Sequence, residues 1–131
     1  MNAYLDAYYD RGGRKLDTAR AYAPMAPDSS EARLGEVKAG ERFEIDTKVV
    51  SFVSGSHEKA KIHESVNASL GALHLPQVDI EYLHALDRTV TFYETCQAMD
   101  EAYRAGKFKR FGLSNYSAEV CTASSYSSFP T

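Results

Sequence analysis

Residues 78–84 read VDIEYLH, a segment of strand length that closes on an imidazole, and its neighbours on both sides fall into order around it. Upstream, Ile62, Val66, Leu70 and Leu73 recur near helical spacing, which predicts a helix from about Ser56 to Leu73. Before that helix, Phe43–Val49 reads as a strand. Downstream, a helix is expected from about Phe92 to Ala105, ended by Gly106, and Lys107–Ser114 reads as the next strand. Towards the N-terminus, Pro24 and Pro27 mark a loop over residues 23–29, and Ser30 can cap a short helix running to about Lys38. Lys15–Ala19 is the first strand. It follows a helix capped by Asn2 that ends at Asp10 or Arg11, has Tyr4, Leu5, Tyr8 and Tyr9 on its apolar stripe, and stops at Gly12-Gly13.

Strand and helix therefore alternate four times, with connections long enough for crossovers. That pattern predicts an α/β fold with about four parallel strands alternating with helices. Taken alone, it does not separate an open doubly wound sheet from part of a barrel. Each strand also ends on polar residues: Asp17 in the first, Lys48 in the second, His84 in the third, Ser114 and Asn115 in the fourth. In parallel α/β folds all such ends share one edge, where ligands bind. An acid, an amine, an imidazole and an amide delivered to one rim are poorly explained by packing.

Composition narrows the function classes. The chain has 131 residues, 44% hydrophobic and 25% charged, as in ordinary globular proteins and enough for one domain. A net charge of −3 supplies no basic face, so no nucleic-acid partner is expected. No apolar run reaches the length of a membrane span, and no basic-then-apolar leader opens the chain, so no membrane partner is expected and a cytoplasmic location is. Cys96 and Cys121 are the only cysteines; they form no disulfide framework and no metal spacing. No metal site is expected. His57, His63 and His74 lie on or beside a helix without ligand spacing and are expected at the surface. Asp79 is expected to end a turn, and Cys96 to be buried and inert. A phosphate-binding doubly wound module is disfavoured, because Gly12-Gly13 follows a helix and precedes a strand, the reverse of a glycine-rich strand-to-helix loop.

Four motifs carry a resemblance: LDTARAY (Leu16–Tyr22), IDTKV (Ile45–Val49), SLGALHLPQVDIEYLHALD (Ser69–Asp87) and GKFKRFGLSNYS (Gly106–Ser117). In order and rough spacing they resemble the aldo-keto reductase superfamily, most of all the aflatoxin-aldehyde-reductase branch and its fungal relatives. The resemblance covers nearly the whole chain up to about Ser117. It implies a (β/α)₈ TIM barrel, present here in part, as a single partial domain over residues 1–131 with a divergent, irregular tail over 118–131. Carried over position by position, the family's catalytic tetrad falls on Asp17, Tyr22, Lys48 and His84. Ser114 and Asn115 match the pair that holds the nicotinamide carboxamide, with Asp17 also in the cofactor site. Glu31 matches a helix start and has no catalytic role by this comparison.

The implied chemistry is NADPH-dependent reduction of an aldehyde or ketone to an alcohol, plausible in fungal secondary metabolism, with a small carbonyl compound as substrate. Tyr22 is the expected proton donor. A phenol has a reference pKa of about 10, so it is a reluctant acid until an ammonium close by favours its anion. Lys48 can supply that charge, Asp17 can hold Lys48, and His84 can orient the carbonyl. A complete barrel has eight strands and about 250 residues, and the strands whose loops form the phosphate site have no counterpart in the four read here. NADPH binding is therefore expected to be weakened, and self-association through open sheet edges is expected. The alternative is a catalytically inactive truncated remnant, or a partner-binding fragment, of such an enzyme.

Overall fold

The computed structural model describes residues 2–22, 26 and 29–120. The expected loop at Pro24 and Pro27 and the tail beyond residue 120, Cys121 included, lie outside them; residues 118–120 are helical. The elements in chain order are α1 (Asn2–Asp10), β1 (Lys15–Asp17), α2 (Ser29–Glu36), β2 (Glu44–Val49), α3 (Lys59–Leu73), β3 (Val78–Leu83), α4 (Phe92–Arg104) and β4 (Phe108–Leu113). A short 3₁₀ turn at Ala39–Glu41 leads into β2. The four strands form one sheet in the order β1-β2-β3-β4, every pair parallel. The expectation of four parallel strands alternating with helices therefore holds, in the arrangement of part of a barrel.

Register fixes which residues share a face. Lys48 stands beside Tyr82, and Tyr82 beside Gly112; one position earlier, Thr47, Glu81 and Phe111 form the row that points the other way. The Thr47 side faces the helices. There Ile45, Val49, Leu83, Ile62, Val66, Leu73, Ala98, Met99 and Phe108 are almost wholly buried in one cluster. Each large apolar side chain there contributes roughly 1.5–3 kcal/mol. α4 is capped by Thr91, whose hydroxyl accepts from Glu94 N. The helices α2 and α3 approach so closely at Gly35 that an added Cβ would fall 1.9 Å from the Ala72 carbonyl oxygen. On the other face, Gly112 leaves space for the Tyr82 ring, 2.4 Å from where its Cβ would be. Glycine is required at both positions for that reason.

Three local expectations are corrected. β1 is only three residues long, yet Thr18 N still donates to Asp46 O (2.8 Å) and Arg20 N to Lys48 O (3.1 Å), so the chain tracks β2 beyond the strand. α3 starts at Lys59 rather than Ser56, because residues 54–57 fold into a turn whose Gly55 and His57 amides donate to Thr89 and Asp87. In α1 only Leu5 is buried, while Tyr4 is 83% exposed and Tyr8 43%. Tyr8 lies flat against Phe43, and its hydroxyl donates to Lys15 O. Its amphipathic ring needs only one covered side.

Candidate active site

The ends of the strands bring Asp17, Tyr22, Lys48 and His84 together. Lys48, only 6% exposed, points its ammonium from the end of β2 into four oxygens. Nζ lies 2.8 and 2.6 Å from the two Asp17 carboxylate oxygens, 2.8 Å from Thr18 O and 3.0 Å from the Tyr22 hydroxyl. Three ammonium protons shared among four acceptors hold the side chain in one orientation. The Tyr22 hydroxyl in turn donates to Asp17 Oδ2 at 3.4 Å. His84 stands edge-on to the Tyr22 ring, centroids 5.6 Å apart, with Phe52 against its other side at 4.8 Å. Tyr22 is 36% exposed, so its hydroxyl is anchored on the protein side and open to a reactant on the other.

The electrostatics follow from these contacts. Burial works to lower the Lys48 pKa, but the hydrogen bonds to Asp17 and Tyr22 and the Asp17 charge outweigh it, and the pKa is raised. The ammonium is firmly charged. His84 is pushed the other way, by burial first and by the Lys48 charge second, so its imidazole stays neutral through neutral pH. Its Nδ1 is buried without a hydrogen-bond partner among the described residues.

The end of β4 arrives next to His84. Ser114 N donates to Leu83 O at 3.0 Å. Asn115 adopts a left-handed backbone (φ 59), and its Nδ2 donates to His84 O at 2.9 Å and Ser114 Oγ at 3.2 Å. The rim expected from the four strand ends is thus one continuous cluster. No group of three or more His, Cys, Asp or Glu able to hold a metal ion occurs among the described residues. A cavity of about 450 Å³ lies nearby, but Arg20, Val50, Val53, Lys61 and Ser65 line it together with other residues of the β2–α3 segment. None of Asp17, Tyr22, Lys48 and His84 is among the residues that line it.

Two residues behave differently from what the sequence led us to expect, and two more are buried where no expectation was set. His57 is 1% exposed, not a surface residue. Its ring Nε2 lies 2.8 Å from Ser51 Oγ, which also accepts from His84 N at 3.1 Å. The His57 backbone N–H donates to Asp87. Burial keeps this imidazole neutral as well, so His57 forms part of the wall behind His84. Asp79 ends no turn: it lies in β3 and pairs with Lys15 at 2.6 Å and Arg110 at 2.7 Å. Glu31 starts α2 as expected, yet it is fully buried, accepting from Arg20 Nη1 at 2.6 Å and from the Thr47 hydroxyl. Glu81, for which nothing was expected, is fully buried with both carboxylate oxygens unpartnered among the described residues. Its polarity in a row of strand residues was the available signal. Of the other histidines, His74 is exposed and His63 half-buried against Glu101; Cys96 is buried as expected.

Comparison with known proteins gives the same answer from sequence and from shape. An oxidoreductase of Leptosphaeria maculans, sirO, is 36% identical over 116 residues, covering 88% of this chain and 34% of that protein. The human aldo-keto reductase family 7 member A3 is 34% identical, covering 92% and 38%. The norsolorinic acid reductase stcV of Emericella nidulans is 33% identical, covering 90% and 34%. A crystal structure of an aldo/keto reductase from Klebsiella pneumoniae, in complex with NADP and acetate, superposes with a TM-score of 0.82 at 29% identity, covering 96% of this chain and 43% of that one. The chain thus spans between about a third and under half of the length of these relatives. The model of the Aldo/keto reductase family matches residues 1–126, which include every strand of the sheet and every residue of the cluster at its edge, and the chain belongs to that family of oxidoreductases.

Proposed function

We propose that the chain performs the proton-transfer part of a nicotinamide-dependent reduction of an aldehyde or ketone, with Tyr22 as the proton donor. One observation carries this reading: the Tyr22 hydroxyl lies 3.0 Å from a buried ammonium that Asp17 holds from the far side. A carbonyl oxygen hydrogen-bonded to Tyr22 gains negative charge as its carbon is reduced, and the phenol proton moves onto it. The Lys48 ammonium, already donating to the phenol oxygen, stabilises the negative charge left there without having to reorganise. Asp17 fixes the ammonium. His84, neutral and edge-on to Tyr22, can donate a hydrogen bond to the same carbonyl oxygen and orient it.

The residues at the end of β4 suit a nicotinamide. The Ser114 hydroxyl can donate and the Asn115 side-chain carbonyl can accept, the two functions a carboxamide asks for, and Asn115 Nδ2 is already committed to His84 O. A reduced nicotinamide bound there supplies the hydride. NADPH is the form we assign, since the solved relative from Klebsiella pneumoniae was crystallised with NADP. Relatives include a norsolorinic acid reductase of Emericella nidulans and a human aflatoxin B1 aldehyde reductase; both support a carbonyl substrate, and the first supports a place in fungal secondary metabolism.

The test is aldehyde-dependent loss of NADPH absorbance with the purified chain. Tyr22→Phe is expected to lower the rate by on the order of 10²–10⁴; a variant that keeps the full rate refutes the assignment. A second reading is a catalytically inactive relative. NADPH titration separates the two, because absence of binding at millimolar concentration supports the second.

A further inference from the structure

Behind Tyr22 and Lys48, on the helix side of the sheet, three segments meet at one carboxylate. Glu31 is 0% exposed, and each of its oxygens has one partner. One accepts from Arg20 Nη1 at 2.6 Å, the other from the hydroxyl of Thr47 at 2.5 Å. Thr47 is the residue before Lys48. Arg20 is two residues before Tyr22, and its backbone N–H donates to Lys48 O at 3.1 Å. One residue earlier in α2, Ser30 Oγ lies 2.7 Å from Thr18 Oγ1, so the start of α2 grips both sides of the segment that runs from Asp17 to Tyr22. Arg20 is itself only 15% exposed at its side chain. A buried pair of this kind gains little stability over apolar residues of equal volume, and its best-attested use is to fix one arrangement among several. Here the arrangement it fixes is the distance between the strand that bears the ammonium and the segment that bears the phenol.

We infer that Glu31 is a positioning residue of the reductase site, holding the Tyr22 segment against β2 so that the Tyr22 hydroxyl stays within hydrogen-bond reach of Lys48 Nζ. The inference rests on the roles of Tyr22 and Lys48 given above, but its readout need not. Glu31→Gln keeps the shape and removes the charge that binds Arg20. Thr47→Val keeps the volume and removes one of the two hydrogen bonds. Glu36→Gln, an exposed carboxylate on the same helix, is the control.

Each protein is labelled with ¹³C at the tyrosine ζ carbon, the Tyr22 resonance is assigned by its loss in Tyr22→Phe, and NADPH-dependent turnover and thermal unfolding are followed on the same samples. Glu31→Gln is expected to unfold cooperatively, to shift the Tyr22 resonance, and to lower kcat by about tenfold or more, as displaced reacting groups do. KM for NADPH and for the aldehyde is expected to stay within about twofold. Thr47→Val is expected to do the same to a smaller extent, and Glu36→Gln to change neither. A Tyr22 resonance that does not move, with kcat within about twofold of wild type, overturns the inference and leaves Glu31 a packing residue, whatever happens to the melting temperature. Should Glu31→Gln fail to fold, Thr47→Val decides on the same two readouts. Should the wild-type chain turn over no aldehyde, the reductase reading fails, and the resonance alone decides: a shift in Thr47→Val and Glu31→Gln upholds the positioning role, and its absence overturns it.

Discussion

Two ion clusters sit at opposite ends of the same parallel sheet, built from the same parts and turned inside out relative to each other. At the end where the strands finish, the cation is the buried member: the Lys48 side chain is 8% exposed and its partner Asp17 53%. Near the end where they begin, the anion is buried: Asp79 is 9% exposed, while its partners Lys15 and Arg110 are 45% and 59% exposed. A buried ammonium between a carboxylate and a phenol is a fixed positive charge aimed at the Tyr22 hydroxyl oxygen. A buried carboxylate between two solvated cations joins β1, β3 and β4 and has no open face for a reactant. Similar pairings therefore serve different ends, according to which member leaves water.

Exchanging the buried cation is the severest test of that contrast. Lys48→Met is expected to lower carbonyl reduction by on the order of 10²–10³, measured by steady-state kinetics. Because the Asp17 it abandons is half in solvent, stability should change by no more than about 1 kcal/mol. A variant that unfolds but whose folded fraction retains the rate would reverse the assignment. At the other end, Asp79→Ala is expected to cost about 1–2 kcal/mol in chemical denaturation, less than a fully buried pair because both cations stay hydrated. The catalytic rate should not change. A lost rate with an intact fold would join the two clusters into one site.

The pH dependence sharpens the contrast. The hydrogen bond from Arg110, aided by that from Lys15, holds the Asp79 carboxyl at about 2, below its ordinary 3.8. Its contribution is complete above the unfolded value and is lost as pH falls from about 4 towards 2; Asp79→Asn should flatten stability over that window. Glu81 has the opposite sign. Burial, with the nearby Glu31 charge, raises its pKa well above 4.5, only partly opposed by Lys48. The folded chain keeps a proton that the unfolded chain releases, so this contribution is complete below about 4.5 and declines as pH rises towards the folded value. Glu81→Gln should therefore unfold at a higher denaturant concentration than wild type near pH 8 and show little advantage near pH 4. The smallest effect expected is that of Arg110→Met, a lower denaturation midpoint than wild type but a smaller loss than in Asp79→Ala, because the guanidinium is mostly solvated and Lys15 still serves Asp79.

The sequence made the four strands and α1, α3 and α4 legible because each carried a local signal: apolar spacing, a cap, a terminating glycine. It also placed Asp17, Lys48, His84 and Asn115 at one rim, because parallel topology forces all strand ends to a common edge. The misplaced residues were those whose environment comes from sequence-distant chain. His57 looked solvated beside a helix, and became buried once Ser51 and Asp87 closed over it. Asp79 had the local look of a turn acid, and only the sheet gave it two cations, Arg110 from the neighbouring β4 and Lys15 from β1 on the far side of β2.

What the amino-acid order determined by itself was the alternation of elements, and through it the parallel sheet and the set of side chains at its edge. Period and capping act over a few residues and survive without tertiary contacts. What only the folded chain decided was which ionisable groups left water: Lys48 and not Asp17, Asp79 and not Lys15, Glu31 with Arg20, and Glu81 with no hydrogen-bond partner among the described residues. Burial is set by neighbours supplied from tens of residues away, and the cost of desolvating a charge depends on those neighbours rather than on the residue that bears it.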